Sequence, residues 1–203
     1  MGRSPSFAGV ILAAGDSTRM GKDKALLPWQ GGTFLSAAID LLKPLTELVI
    51  VVGGKNTNSL LPTVYQKGAF ITENHHTERG QFSSLQVGLH EVLTRGRDTA
   101  MVTLVDRPPA RAATIQALRE AYESADRKVW AVVPEFSGKH GHPFIVGREM
   151  IEAFLQAPPT STARDIEHRH QDHILYVAVE DPLVAANINT PEDYAALPGP
   201  LPR

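Results

Sequence analysis

Short stretches dense in apolar and β-branched residues recur along the chain, at 8–13, 47–52, 100–105 and 129–133. A strand with one wet face alternates apolar and polar side chains, whereas a strand covered on both faces reads as a near-continuous apolar run. Segments with helical spacing separate these runs. Residues 33–43 set Phe34, Leu35, Ala38, Ile39, Leu41 and Leu42 on a helical pattern that Pro44 ends. Residues 83–93 carry Leu85, Leu89 and Val92 on one face, with Ser83 placed to cap the helix and Gln86 three residues on. Residues 114–122 are helical in pattern, 58–66 form a weaker helix interrupted by Pro62, and 69–72 a short strand. Strands and helices alternating at this spacing predict an α/β fold with a mostly parallel sheet covered on both sides.

The rhythm changes after Pro134. Glycines and prolines between 136 and 147 stand too close together for another strand–helix unit, so this stretch reads as a loop with a small β-hairpin excursion projecting from the sheet. Short helices are expected at 149–155 and 163–168 and a strand at 174–179. A last helix is expected at 191–197, started by Thr190 with Pro191 at its first position. A length of 203 residues suits a single domain spanning 1–203, with a core over about 7–197 and loose ends. The absence of cysteine removes disulfides, thiolate nucleophiles and cysteine metal sites together. A formal charge of −2 argues against a general nucleic-acid surface. No segment has the apolar length to span a bilayer, and residues 1–6 lack the core of a secretory signal, so a cytoplasmic protein with no membrane partner is expected.

The first apolar run breaks into small and polar residues that include Gly15, Arg19, Gly21, Lys22 and Lys24. A backbone that approaches a polyphosphate closely benefits from glycine, while amide groups and full charges face the anion. Neither common phosphate loop fits. One residue too many separates Gly15 from Gly21-Lys22 for the Walker pattern, and Asp23 stands where that pattern needs a hydroxyl. The dinucleotide fingerprint fails because Asp16, Ser17 and Thr18 follow Gly15. Asp106 directly follows a later strand, which sets it at the carboxyl edge of the sheet, where open α/β folds bind ligands. A carboxylate facing a triphosphate is unfavourable unless a divalent cation lies between them, so Asp106 reads as a magnesium ligand, with helix capping after Pro109 as the other reading.

Over its whole length, the stretch 10–24 resembles the L-A-A-G-x-S-x-R-M-G-x-x-K signature of nucleotidyltransferases with a Rossmann-like domain. Within that group the chain most resembles the molybdenum cofactor cytidylyltransferase-like family. Asp106-Arg107-Pro108 resembles that family's metal-binding D-x-P, with Arg107 where glutamine is common. Asn187-Ile188-Asn189-Thr190-Pro191-Glu192-Asp193 resembles its D-I-D-T-P-E-D, with asparagines for both aspartates. Gly80-Gln81-Phe82-Ser83-Ser84-Leu85 is similar to its G-x-S-S-L, and Gly141-His142-Pro143 to the G-H-P of its acceptor loop.

The resemblance implies a Rossmann-like three-layer sandwich and Mg²⁺-dependent transfer of a nucleotide, CMP from CTP, onto a small phosphorylated acceptor of the molybdopterin type. It implies Arg19, Lys24 and Asp106 as catalytic residues, Arg19 on the leaving phosphates and Lys24 on the α-phosphate. Leu12, Ala13, Ala14, Gly15, Ser17, Arg19, Met20, Gly21, Lys24, Ser83 and Ser84 become nucleotide contacts, with Lys139 and His142 on the acceptor. Asp106 and Asn189 become the metal ligands; a plain turn residue is the other reading of Asn189, and helix capping that of Ser83. The asparagine pair is also reminiscent of the guanylyl branch, so GMP transfer is the alternative, as is a sugar-1-phosphate acceptor. A nucleotide-sensing module or a molybdoenzyme partner that has lost turnover is the non-enzymatic alternative. The histidine-rich run 168–173 reads as a solvated connection rather than a metal site, because Arg169 is unfavourable beside a metal, and His75-His76 as surface loop.

Overall fold

The computed structural model describes residues 4–15, 23–158 and 160–197. Its elements run β1 (Phe7–Leu12), β2 (Pro28–Trp29), β3 (Gly32–Thr33), α1 (Phe34–Leu42), β4 (Leu48–Gly53), α2 (Thr57–Gln66), β5 (Phe70–Glu73), α3 (Gln81–Thr94), β6 (Thr99–Leu104) and α4 (Ala112–Ser124). They continue with β7 (Ala131–Phe136), β8 (Lys139–His140), β9 (Phe144–Gly147), α5 (Arg148–Gln156), α6 (Ala163–Arg169), β10 (Ile174–Ala178) and α7 (Pro191–Ala195). Among the described residues the main sheet has the order β10-β7-β9-β6-β1-β4-β5, with β8 paired to β7, and β2-β3 form a separate hairpin.

β1 is buried at every position and lies between β4 and β6, parallel to both. Successive side chains leave opposite faces of a strand, so one run feeds two cores. Phe7 and Ile11 join Val49, Val51 and Met101 under α1, α2 and α4, through Leu35, Ile39, Leu60, Ile115 and Leu118. Ala8, Val10 and Leu12 join Ile50, Val52 and Val102 under α3 and α5, through Leu85, Leu89, Met150 and Phe154. The result is the expected three-layer α/β sandwich. Gly88 lets α3 lie close on the sheet: a Cβ there would stand 2.7 Å from Val10 Cγ1. No helix among the described residues is long and apolar enough to cross a membrane.

Three expectations are corrected. α2 runs unbroken through Pro62, because Leu60 and Val64 bury a face while Pro62 and Asn58 are exposed. The carbonyl that loses its helical donor is therefore on the solvent side. The stretch 136–147 is only in part an excursion. Ser137 and Gly138, both at positive φ, turn the β7–β8 hairpin, but β9 re-enters the sheet antiparallel between β6 and β7 and is buried throughout. Phe144-Ile145-Val146 is itself an apolar run, and the nearby glycine and proline exclude a helix but not a central strand. Finally, α3 begins at Gln81 behind Gly80, so Ser83 lies in its first turn and is not its cap.

A buried carboxylate ties the return chain to α4. Asp181 is 1% exposed and accepts from Arg111 N at 2.7 Å, Thr114 Oγ1 at 2.9 Å and Leu183 N at 3.1 Å. Asp181→Ala leaves these donors without an acceptor, and the expected cost is roughly 2–4 kcal/mol. Urea unfolding should show a lower midpoint at an unchanged slope; an unmoved midpoint would mean that water replaces the carboxylate freely.

Candidate active site

The carboxyl ends of β1, β4 and β6 form one edge, and the ladder continues past them through Ala13 N to Val52 O at 2.9 Å and Val105 N to Leu12 O at 3.0 Å. Asn56 fastens the chain just beyond these strand ends. Its Oδ1 accepts from Gly54 N at 3.1 Å, and its Nδ2 donates to Ala13 O at 2.9 Å and Asp23 Oδ2 at 2.7 Å. Asp23 Oδ1 in turn accepts from Ala25 N at 3.0 Å and caps the 3₁₀ turn Lys24–Leu26. The backbones meet so closely here that a Cβ on Gly54 would stand 3.1 Å from Ala14 O. The aim of Lys24 is thereby set from two strand ends.

The Lys24 ammonium lies 3.3 Å from Asp106 Oδ2 and 3.4 Å from Asn189 Oδ1. Asn189 comes from the far end of the chain, and the packing explains how. Ile188 N donates to Asp106 O at 3.1 Å, and the Ile188 side chain is buried with Leu27 and Phe34. Phe34 stacks on Trp29 at 5.0 Å, and Tyr194 Oη donates to Pro28 O at 2.7 Å. Asp193 accepts from Asn189 N and Thr190 N, both at 2.9 Å; these main-chain donors hold its carboxyl below the ordinary range. A carboxylate oxygen and an amide oxygen thus converge on one cationic point. That is a donor set a hard divalent cation accepts, if further oxygens complete its shell. Among the described residues no group of three or more histidines or acidic residues could hold a metal without such help.

Two adjoining cavities open at this edge. One, of about 310 Å³, is lined by Leu12, Ala14, Gly15, Lys24, Ser84 and Asp106, among others. The other, of about 850 Å³, shares the walls Leu12, Gly80, Gln81 and Leu104 and extends to Arg107, His142 and Tyr176. Ala13 gives its carbonyl to Asn56, and its side chain is buried in the core. Ser83 is not brought to either wall: its hydroxyl donates toward Gly80 O at 2.8 Å and His76 O at 3.1 Å. Lys139 is exposed on β8 and lines neither cavity. Ser17, Arg19, Met20 and Gly21 lie outside the described residues.

Sequence reasoning does not single out Asn56, Asp23 or Asn74. Asn74, buried at the end of β5, donates to Ser83 Oγ at 2.8 Å and Ser84 Oγ at 2.9 Å and so fixes the start of α3. Asn56 and Asn74 each follow a parallel strand within a few residues, which is the signal that points to Asp106.

The larger cavity has its own electrostatics. His142 donates its main-chain N–H to Val184 O at 2.9 Å, and Gly141 permits that approach, since a Cβ there would stand 2.4 Å from the same oxygen. Burial, reinforced by the Arg107 charge, pushes the His142 imidazole down to about 3, so it is neutral at physiological pH. Arg107 is shifted down by burial, against the pull of Asp106. The His140 ring stacks on Tyr176 at 4.2 Å. In the histidine-rich run, His173 stacks on Trp130 at 3.9 Å and its Nδ1 lies 2.7 Å from Lys128 O.

A family model described as "MobA-like NTP transferase domain" matches residues 9–174. The chain is 28% identical over 186 residues to the Escherichia coli (strain K12) protein named "Molybdenum cofactor cytidylyltransferase", covering 91% of this chain and 92% of that one. It is 26% identical over 197 residues to a Bacillus cereus (strain Q1) protein named "Probable molybdenum cofactor guanylyltransferase", covering 93% and 94%. Among solved structures, Rv0371c from Mycobacterium tuberculosis superposes with a TM-score of 0.81 at 24% identity, covering 95% of this chain and 97% of that one. The same protein in complex with manganese gives a TM-score of 0.74 at 21% identity, covering 94% and 96%.

The depressed His142 value has a measurable consequence. Its ordinary value is 6.5 and its value here about 3, so between those limits the unfolded chain binds more protons than the folded one. Stability is full above pH 6.5 and falls as pH drops towards 3. In His142→Phe this slope, at most roughly 1.4 kcal/mol per pH unit, should vanish from the urea-unfolding free energy. Parallel profiles for variant and wild type would show that the imidazole protonates freely in the folded protein.

Proposed function

Because the chain belongs to the family of MobA-like NTP transferase domains, we propose that this nucleotidyltransferase moves CMP from CTP onto the phosphate of a molybdopterin-type acceptor and releases pyrophosphate. The observation that carries this reading is the meeting of Lys24, Asp106 and Asn189 beside the wall that the two cavities share. The smaller cavity takes the triphosphate end of the nucleotide, and the larger takes the acceptor.

The main obstacle is charge. An acceptor phosphate oxygen must place its electron pair on the α-phosphorus while the bridge from the α- to the β-phosphate breaks and its pair leaves with pyrophosphate. Each pair of unit charges about 4 Å apart repels by about 4 kcal/mol at an effective dielectric near 20. Fixed cations therefore do more for the rate than a base, and an ionised phosphate has no proton to surrender. His142, neutral by burial, accordingly orients the acceptor and does not act as a base. Lys24 neutralises the α-phosphate. Arg19, outside the described residues, holds the leaving phosphates. Asp106 and Asn189 hold Mg²⁺, which when bound supplies charge neutralisation to the triphosphate oxygens.

CTP is favoured by Ala13-Ala14-Gly15 and by the cytidylyltransferase relative. GTP is the second reading, supported by Asn187 and Asn189 and by the guanylyltransferase relative. The deciding experiment incubates the full chain with each triphosphate, Mg²⁺ and molybdopterin and follows pyrophosphate. Release with CTP above GTP is expected, and release with neither, despite nucleotide binding by calorimetry, would make the protein a sensor. Under the productive pair, Lys24→Ala should lower kcat by about 10²–10³, and full activity in that variant would remove Lys24 from the chemistry.

A further inference from the structure

Arg107 follows Asp106 directly, yet the two side chains serve different cavities. Asp106 lines the smaller one with Lys24, and Arg107 lines the larger one with His142. The half-buried guanidinium uses Nη1 on the chain itself, donating to Val184 O at 3.3 Å and Ala186 O at 3.4 Å. Its Nε is shielded from solvent without a hydrogen-bond partner, and so is Nδ1 of His142. Among the described residues, the acidic charge acting on Arg107 is Asp106, which is already engaged with Lys24. Arg79 and Arg164 also line the larger cavity, and among the described residues that line it Glu167 supplies the one carboxylate. A partly buried cation whose counter-charge is spent elsewhere is less favourable than one paired with an anion. A ligand anion would relieve that cost.

We propose that Arg107 is the receptor for the acceptor's attacking phosphate, binding it through Nη2 on the cavity wall that it shares with His142. This rests on the transferase reading and deepens it: the acceptor is a phosphate monoester or a larger polyanion that ends in one. Two anions must meet across the shared wall. Lys24 faces one from the smaller cavity, and Arg107 faces the other from the larger. Nη1, tied to two carbonyls, keeps the plane of the guanidinium fixed and so sets the aim of Nη2.

The test is a titration of inorganic phosphate, followed by ³¹P resonance, into the full chain saturated with Mg²⁺ and a non-hydrolysable methylene analogue of CTP. Wild type should bind phosphate, and Arg107→Gln should weaken it by about ten- to a hundredfold with the analogue's affinity unchanged. In turnover the same variant should raise KM for molybdopterin by a similar factor while KM for CTP holds. Absence of phosphate binding by wild type, phosphate affinity in Arg107→Gln equal to wild type, or an equal loss for the CTP analogue would each overturn the assignment. If Arg107→Gln does not fold, wild-type crystals soaked in tungstate decide: an anion in contact with the Arg107 guanidinium supports the site, and an anion bound elsewhere alone overturns it. Pyrophosphate release by wild type reports separately on the transferase reading, so the two failures are distinguishable.

Discussion

The parallel pairing of β1 with both β4 and β6 is the constraint on which the site depends. Leu12 is level with Val52 on one side and Leu104 on the other, so three chain segments leave the sheet at one edge and in one direction. A register slip by one residue would exchange the two faces of β1. Phe7 and Ile11 would then face the helices that now cover Val10 and Leu12. Burial on both faces therefore fixes the register, and the register fixes where Ala13, Gly54 and Asp106 begin. Asn56 converts that alignment into an aim for Lys24 by bonding to the continuations of β1 and β4 and to Asp23.

Charge is divided across the shared wall in the same manner. Lys24 faces a carboxylate and an amide on one side, and Arg107 shares the other with an imidazole kept neutral by burial and by that same guanidinium. A protonated His142 beside Arg107 would add a like charge where a cation is already poorly solvated. A neutral one adds a directional hydrogen-bonding group at no electrostatic cost. In the proposed reaction both substrates arrive as anions, so two separated cations and a neutral orienting group suit the task better than an acid and a base.

Much of this was legible in the chain, for reasons that particular residues make clear. The apolar runs at 8–13 and 100–105 exposed their own burial, and the ends of those runs disclosed Gly15 and Asp106 as edge residues. The same rule, applied to the next polar residues after β4 and β5, reaches Asn56 and Asn74, whose side chains bind main chain and hydroxyls at the edge. What stayed hidden depends on partners distant in sequence. Ser83 looks like a cap because Gln86 follows at the right spacing, but Gly80 takes the cap position and Gln86 reaches across to Phe154 O and Ala157 O. Strand β9 was obscured because proline and glycine mark a break in local structure without saying which strands will accept the segment after it. Arg107 reads as a family departure in the sequence, and only the fold shows which cavity it faces.

The asparagines at 187 and 189 bear on how the site balances its charge. Asn189 forms a unit with Lys24 and Asp106, and the Asp193 carboxylate also acts on that ammonium. An aspartate at 189 would add a negative charge to that unit, next to the place where a triphosphate is proposed to bind. In the proposed reading the amide would offer an oxygen ligand without that charge, so a divalent cation would be held less tightly by the chain alone and would take more of its shell from phosphate oxygens. In the proposed reading, metal and nucleotide then enter as one chelate. Capture depends on the triphosphate being present, and Lys24 meets an anion whose charge the metal has already reduced.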